Sequence, residues 1–125
     1  MKASLRAKLD DGTTRFRVEI KYAVAIGPGK ADVLQAINET GSMAETGRRL
    51  GMSYQRVWTL VGAMNKDFIE PLVATQRGGA ARGGAQLTAT GEQVLSLYRA
   101  TEEAAQAAVS EKLPLLLELL KPSVD

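Results

Sequence analysis

Residues 42–66 read SMAETGRRLGMSYQRVWTLVGAMNK, and this stretch contains the signals for two helices joined by a very short turn. Ser42 and Glu45 have the spacing of a capping box, in which both side chains satisfy backbone N–H groups at a helix start. Gly51 is placed to end that helix, and Ser53 is placed to cap the next one. The second helix carries one apolar stripe, formed by Tyr54, Val57, Trp58, Val61 and Met64.

Before this stretch, the spacing of the apolar residues changes from that of a strand to that of a helix. Residues 4–9 and 14–22 alternate between apolar and polar residues, and the turn signal Asp11-Gly12 lies between them. This alternation predicts an antiparallel hairpin of half-buried strands. Apolar residues at helical spacing follow from Lys30, and Gly41 is placed to end the helix that they form.

The segments after this stretch predict a second hairpin and a long helix. Residues 72–76 and 85–87 have the pattern of short strands, and the glycine-rich loop at 77–84 between them cannot hold a helix. Thr90 and Gln93 repeat the capping-box spacing and place the start of the long helix.

These elements, in this order, predict a mainly α (α+β) protein with a winged helix-turn-helix and an N-terminal strand hairpin. In this architecture the helix that starts after Ser42 crosses the DNA backbone, and the helix that starts after Ser53 enters the major groove. We expect a single domain over residues 1–125, with N-terminal strands (1–28), a three-helix core (30–66), a wing (72–88) and a long C-terminal dimerisation helix (90–120) kinked near Pro114.

The composition narrows the function. The chain has 125 residues and contains neither cysteine nor histidine, which excludes disulfides, Cys/His zinc sites and Ser–His nucleophilic catalysis. We expect no enzyme activity and no metal site, because no carboxylates are paired at catalytic spacing. The sequence has no signal peptide and no membrane-spanning run, which predicts a cytoplasmic protein without a membrane partner.

Charge is distributed unevenly along the chain. The net charge is +2, yet residues 1–30 carry seven basic and three acidic side chains, and residues 46–88 carry six and two. Residues 100–125 instead carry five acidic and two basic side chains. This asymmetry indicates a polyanionic partner, and the predicted fold makes double-stranded DNA the expected one.

The predicted fold assigns candidate DNA contacts, each with a plainer alternative. Arg56 could pair with guanine and Gln55 with adenine, or both could belong to a solvated face. Arg48 and Arg49 could bind phosphate or could only balance Glu45. The candidate DNA-binding residues are Ser42, Arg48, Arg49, Ser53, Tyr54, Gln55, Arg56, Thr59, Arg77 and Arg82.

Two further features have competing interpretations. The spacing of Tyr54 and Trp58 favours a place in the core over stacking on bases, although the Tyr54 hydroxyl could still reach a phosphate. The glycine-rich loop lacks the Gly-Lys-Ser/Thr ending of a nucleotide-binding loop, so Arg77 and Arg82 are expected at the tip of a DNA-contacting wing.

The leucine-rich end of the chain predicts self-association. Six leucines lie between residues 113 and 120, more than one small core can cover, and an exposed apolar patch of this kind usually marks an interface. A homodimer would also match a palindromic DNA site. The candidate dimerisation residues are Leu95, Tyr98, Val109, Leu113, Leu116 and Leu120.

Several of these motifs together resemble the N-terminal DNA-binding domain of the ModE family of molybdate-responsive regulators, and more distantly the LysR-type regulators. They are the run from Ser42 to Trp58, the pair Met64-Asn65, the glycine-rich wing tip and the segment from Leu87 to Glu92. ModE proteins continue into C-terminal molybdate-binding domains, whereas this sequence ends at Asp125. We therefore expect the DNA-binding part and not the molybdate sensor.

The resemblance implies a sequence-specific transcriptional regulator that represses genes of molybdenum uptake or metabolism. It also implies a dimer held together by strands and by the long terminal helices. It predicts no cofactor within the chain, and only the resemblance suggests molybdate as an effector. The alternatives are a protein-interaction module that uses the leucine-rich helix, a molybdate-binding protein without DNA binding, and an enzyme, for which the residues offer no site.

Overall fold

The computed structural model describes the backbone of residues 2–10, 13–21, 25–76 and 84–122, and the side chains of residues 26–76 and 84–122. The elements are β1 (Lys2–Asp10), β2 (Thr13–Lys21), β3 (Ala25–Ile26), α1 (Pro28–Thr40), α2 (Met43–Leu50), α3 (Tyr54–Asp67), β4 (Val73–Thr75), β5 (Ala85–Leu87) and α4 (Ala89–Glu118). The predicted fold class is confirmed: a mostly helical chain with a small wing hairpin and a long C-terminal helix.

The strands form two separate antiparallel sheets. In the first, β1 pairs with β2 over their whole length, from Lys2 opposite Lys21 to Asp10 opposite Thr13, and the short β3 pairs with the other edge of β2. In the second, β4 pairs with β5 to form the base of the wing. The alternating pattern therefore predicts the first hairpin correctly, whereas β3 has no counterpart in the sequence analysis.

The core lies between α1, α3 and the wing. Its fully buried side chains come from one face of each helix and from both wing strands: Val33, Leu34, Ile37, Met43, Val57, Val61, Met64, Leu72, Val73, Ala85 and Leu87. A smaller cluster joins β3, α1 and α4 through Ile26, Ala31 and Tyr98. The hairpin strand β2 contacts both α1 and α4, so the first sheet lies on that side of the core.

Local signals determine most helix ends. Pro28 is the first residue of α1, where its missing N–H costs no hydrogen bond. Gly41 and Gly51 end α1 and α2 in the left-handed conformation, with φ of 68° and 67°. The predicted capping box at α2 is only half formed. Ser42 Oγ accepts from the backbone N–H of Glu45, but the Glu45 side chain binds Arg48 instead of returning to Ser42.

The predicted start of α4 is wrong. Thr88, not Thr90, is the N-cap residue, and its Oγ1 accepts from the backbone N–H of Gly91 at 3.0 Å. Thr90 instead donates to the carboxylate of Glu70. The helix then runs through Pro114 to Glu118, beyond the point at which a proline usually ends a helix.

Asn65 is the residue through which α3 holds the wing. Its Oδ1 accepts from the backbone N–H groups of Leu72 and Val73, at 2.9 and 3.2 Å, and its Nδ2 donates to the carbonyl of Val73. The side-chain amide thus takes the place of a neighbouring strand along the outer edge of β4. The resemblance singled out this residue without a role, and the structure makes it a scaffold residue.

We expect Asn65→Ala to lower the free energy of unfolding by about 2–4 kcal/mol. The substitution leaves backbone groups of the buried Leu72 and Val73 without their hydrogen-bond partner. Urea denaturation at a fixed protein concentration measures the loss. Asn38→Ala is the matched control, since Asn38 is exposed on α1, and its effect should stay within about 0.5 kcal/mol. Equal losses in the two variants would contradict the scaffold role.

Arg99 joins the long helix to α1. Its guanidinium binds Asp32 and Gln35 on α1, each at 2.9 Å, and Glu102 one turn further along α4. Burial opposes its charge, but the hydrogen bonds to Asp32 and Glu102 outweigh it and raise the pKa of Arg99. On the neighbouring Tyr98, burial, reinforced by Glu102, raises the pKa to about 12. Arg99 therefore links the first half of α4 to α1.

Candidate nucleic-acid interface

A turn of three residues, Gly51 to Ser53, sets the angle between α2 and α3. The backbone N–H of Met52 donates to the carbonyl of Gly47 at 2.9 Å, and a Cβ on Gly47 would lie 2.8 Å from the Met52 carbonyl oxygen. Glycine at this position therefore allows the turn to fold back on α2. Ser53 Oγ then accepts from the backbone N–H of Arg56 and fixes the start of α3.

Side chains on the outer face of α3 are exposed and mostly unengaged. Gln55, Arg56 and Thr59 all lie there. Within the described part of the chain, the Arg56 guanidinium has no hydrogen bond or ion pair. The Thr59 hydroxyl donates to the carbonyl of Gln55 at 3.0 Å, so it is partly used within the helix. This face offers a free bidentate donor in Arg56 and a free amide in Gln55.

Tyr54 does not lie in the core. Its side chain is 53% exposed, whereas Trp58 is half-buried against the core, so the core prediction is wrong for Tyr54. The two rings meet edge to face, with centroids 6.1 Å apart. Tyr54 is the first residue of α3, and the core covers only the later turns of its stripe. Its ring is thereby held beside the free face of α3.

The arginines of α2 have acidic partners. Arg48 binds Glu45 on its own helix, and Arg49 binds Glu39 on α1. The balancing role considered for Arg48 is therefore present, and for Arg49 the partner is a different carboxylate from the one considered. Exposed pairs of this kind contribute only about 0–1 kcal/mol, so a phosphate could displace either carboxylate. The structure does not test their contact with DNA.

The remaining candidate DNA-binding residues are Ser42 and the two arginines of the wing tip. Ser42 caps α2, and its Oγ is engaged with the Glu45 N–H. Arg77 and Arg82 of the wing tip lie outside the described residues.

One cleft of about 520 Å³ lies between α1 and the wing. Its polar lining comprises Asn38, Gln76, Gln86 and the carboxylate of Glu92, with no basic side chain among the described lining residues. An oxyanion such as molybdate requires positive charge or converging N–H donors, and the carboxylate opposes it. The described part of this lining therefore offers an oxyanion, the class of effector that the resemblance implies, no positively charged side chain.

The apolar stripe of α4 has two halves. Near its start, Leu95 and Tyr98 pack against the chain's own core. Val109 and Leu113 are half-buried, whereas Leu116 and Leu120 are exposed at 59% and 60%. At 3.6 residues per turn the members of this set that belong to α4 lie on the same side of the helix, and Leu120 follows two residues after the helix ends. The candidate dimerisation set thus combines residues already covered within the chain with residues that nothing covers in the single chain.

The comparison with solved structures defines the fold class. The DNA-binding domain of CbnR, solved in complex with DNA, superimposes with a TM-score of 0.58 at 23% identity, covering 70% of this chain and 95% of that one. The fold is that of a winged-helix DNA-binding domain. No helix among the described residues is long and apolar enough to cross a membrane.

Curated relatives identify the resemblance more narrowly, although no protein-family model matches the sequence. The chain is 37% identical to the molybdenum-pterin-binding protein MopB of Rhodobacter capsulatus, over 82% of this chain and 38% of the relative. It is 34% identical to the molybdenum transport protein ModE of Azotobacter vinelandii, over 77% and 37%. It is 31% identical to the transcriptional regulator ModE of Haemophilus influenzae, over 78% and 40%. The chain is thus similar to ModE and MopB proteins and spans about two fifths of their length.

Proposed function

We propose that this chain is a sequence-specific DNA-binding transcriptional regulator that acts as a homodimer. The observation that carries the proposal is the outer face of α3, where Arg56 and Gln55 are exposed and free on a helix fixed by the Ser53 cap and the Gly47 contact. The winged-helix likeness and the ModE relatives support it.

The finer parts of the proposal have separate support. Leu116 and Leu120 supply the apolar surface for a homodimer. The names of the relatives connect the chain with molybdenum, and the genes that it represses are those of molybdenum uptake or metabolism. We place the chain in the cytoplasm, and its proposed activity is binding rather than catalysis.

The proposal is tested by selecting DNA from a random duplex library with the purified chain and measuring affinities by fluorescence anisotropy. We expect enrichment of a palindromic sequence, bound at least a thousandfold more tightly than random duplex. Repeating the titration with molybdate tests the effector. Because the described lining of the cleft has no positively charged side chain, we expect molybdate to leave the affinity of the chain for DNA unchanged. Failure to enrich any sequence would overturn the proposal.

We expect Arg56→Ala to reduce discrimination at one base pair of the selected site by about 1–3 kcal/mol, because a bidentate arginine–guanine contact is lost. Anisotropy titrations against the site and its single-base variants measure this. Lys66→Ala is the matched control, since it removes an exposed cation in the last turn of the same helix. Lys66→Ala should leave the base preference intact. If both variants weaken all sequences equally, Arg56 does not read a base.

A further inference from the structure

The register of the first hairpin places like charges opposite one another. Lys2 pairs with Lys21, Arg6 with Arg17, and Lys8 with Arg15. Because residues alternate between the two faces of a strand, these six basic positions share one face of the sheet with two acidic ones, Asp10 and Glu19, so the face has an excess of positive charge. The apolar residues that predicted the hairpin occupy the other face. The helix-turn-helix does not use this basic face.

Like charges directly opposite each other destabilise an antiparallel pair. A dense polyanion bound along the face would remove this repulsion. Basic positions two residues apart in a strand, such as Arg6 and Lys8, are separated by about 7 Å. Duplex DNA carries one negative charge for about every 1.7 Å of its axis, so phosphates can meet each cation of the ladder.

The acidic half of α4 from a second copy is a poorer match. Its free carboxylates, on Glu103, Glu111 and Glu118, are seven or eight residues apart. In a helix that spacing corresponds to about 10–12 Å, which is wider than the separation of about 7 Å between Arg6 and Lys8 and between Arg15 and Arg17. The remaining carboxylate, on Glu102, is already bound by Arg99.

We infer that the basic face of the β1–β2 hairpin is a second DNA-backbone contact, separate from the helix-turn-helix. It binds phosphates without reading sequence and adds affinity and salt dependence to the contact made by α3. The inference rests on the proposed function, because it assumes the same polyanionic partner. It assigns a role to the basic residues of the first 21 positions, which neither α3 nor the wing explains.

The test compares the salt dependence of binding to a random-sequence duplex of 40 base pairs. Each lost phosphate contact makes the slope of log K against log salt shallower by about 0.9. We expect Arg6→Thr/Arg17→Thr to make it shallower by about 1.8 for each bound protomer, or about 3.6 for the homodimer, while leaving the preference for the selected site unchanged. The matched control, Lys112→Gln/Lys121→Gln, removes the same charge from two exposed positions, one in α4 and one three residues beyond its end, and should leave the slope unchanged.

A folding control accompanies the test. Threonine favours strands, so the double variant should melt at or above the temperature of the parent in circular dichroism. Arg6→Glu is a second variant, which turns a like-charge pair into an opposite-charge pair and should stabilise the hairpin while also making the slope shallower.

The outcomes separate this inference from the proposed function. A slope that is unchanged, or changed equally by the α4 control, would overturn the inference. Loss of self-association in sedimentation, without a change in slope, would make the face a protein interface and would also overturn it. The proposed function fails instead if no sequence is preferred, a result that the random-duplex slopes do not influence.

Discussion

Gly91→Ala is expected to destabilise the chain by about 3 kcal/mol or more, because no space exists for a methyl group there. A Cβ on Gly91 would lie 2.0 Å from the carbonyl oxygen of Leu72 and 2.9 Å from its carbonyl carbon. That carbonyl cannot move freely, since it accepts from the backbone N–H of Thr88 at 2.9 Å. The wing base and the start of α4 would have to separate.

Gly62→Ala is the matched control for this prediction. Gly62 lies within α3, is exposed, and has no atom within 4 Å of the position of a Cβ. The same substitution should therefore stabilise the chain by about 0.5–1 kcal/mol, the usual gain from alanine in a helix. Thermal and urea unfolding of both variants measure the difference. A Gly91→Ala variant as stable as the parent would show that α4 does not approach Leu72 so closely.

Leu116→Glu/Leu120→Glu is expected to abolish dimer formation at micromolar concentration. Burying a leucine contributes about 1.5–3 kcal/mol, so losing two in each protomer weakens association by at least about a hundredfold. Analytical ultracentrifugation gives the dissociation constant. Binding to the selected palindrome should weaken in parallel, because the second protomer is then no longer held close to its half-site by the first.

Ala104→Glu/Ala107→Glu adds the same charge to the opposite side of α4. Both alanines are exposed and lie about half a turn away from the leucine stripe. This control should leave the dimer intact. If the parent chain is a monomer at all concentrations tested, or if both double variants remain dimers, the leucine stripe is not the dimer interface.

Local chemistry explains what could be predicted before the structure. The first hairpin follows from period-two alternation, and the cap of α3 follows from Ser53, because each involves neighbours only a few residues apart. The left-handed ends at Gly41 and Gly51 follow in the same way. The free face of α3 was also predictable, since the apolar stripe leaves the opposite side of the helix to solvent.

Local sequence patterns do not predict the structure where two neighbouring residues fit the same pattern equally well. Thr88 and Thr90 are both good helix caps, and the choice between them depends on the close approach of Gly91 to Leu72. Periodicity places Tyr54 on the correct side of α3, but it cannot say that the core stops short of the first turn.

The sequence by itself determined the order of the elements, the turn between α2 and α3, and the residues that face outward from α3. The tertiary structure alone decided how these parts are held together. Asn65 acts as a strand edge for β4, and Arg99 reaches Asp32, 67 positions away in the chain. Contacts of this kind are absent from any local pattern, because they depend on the path by which distant segments return to one another.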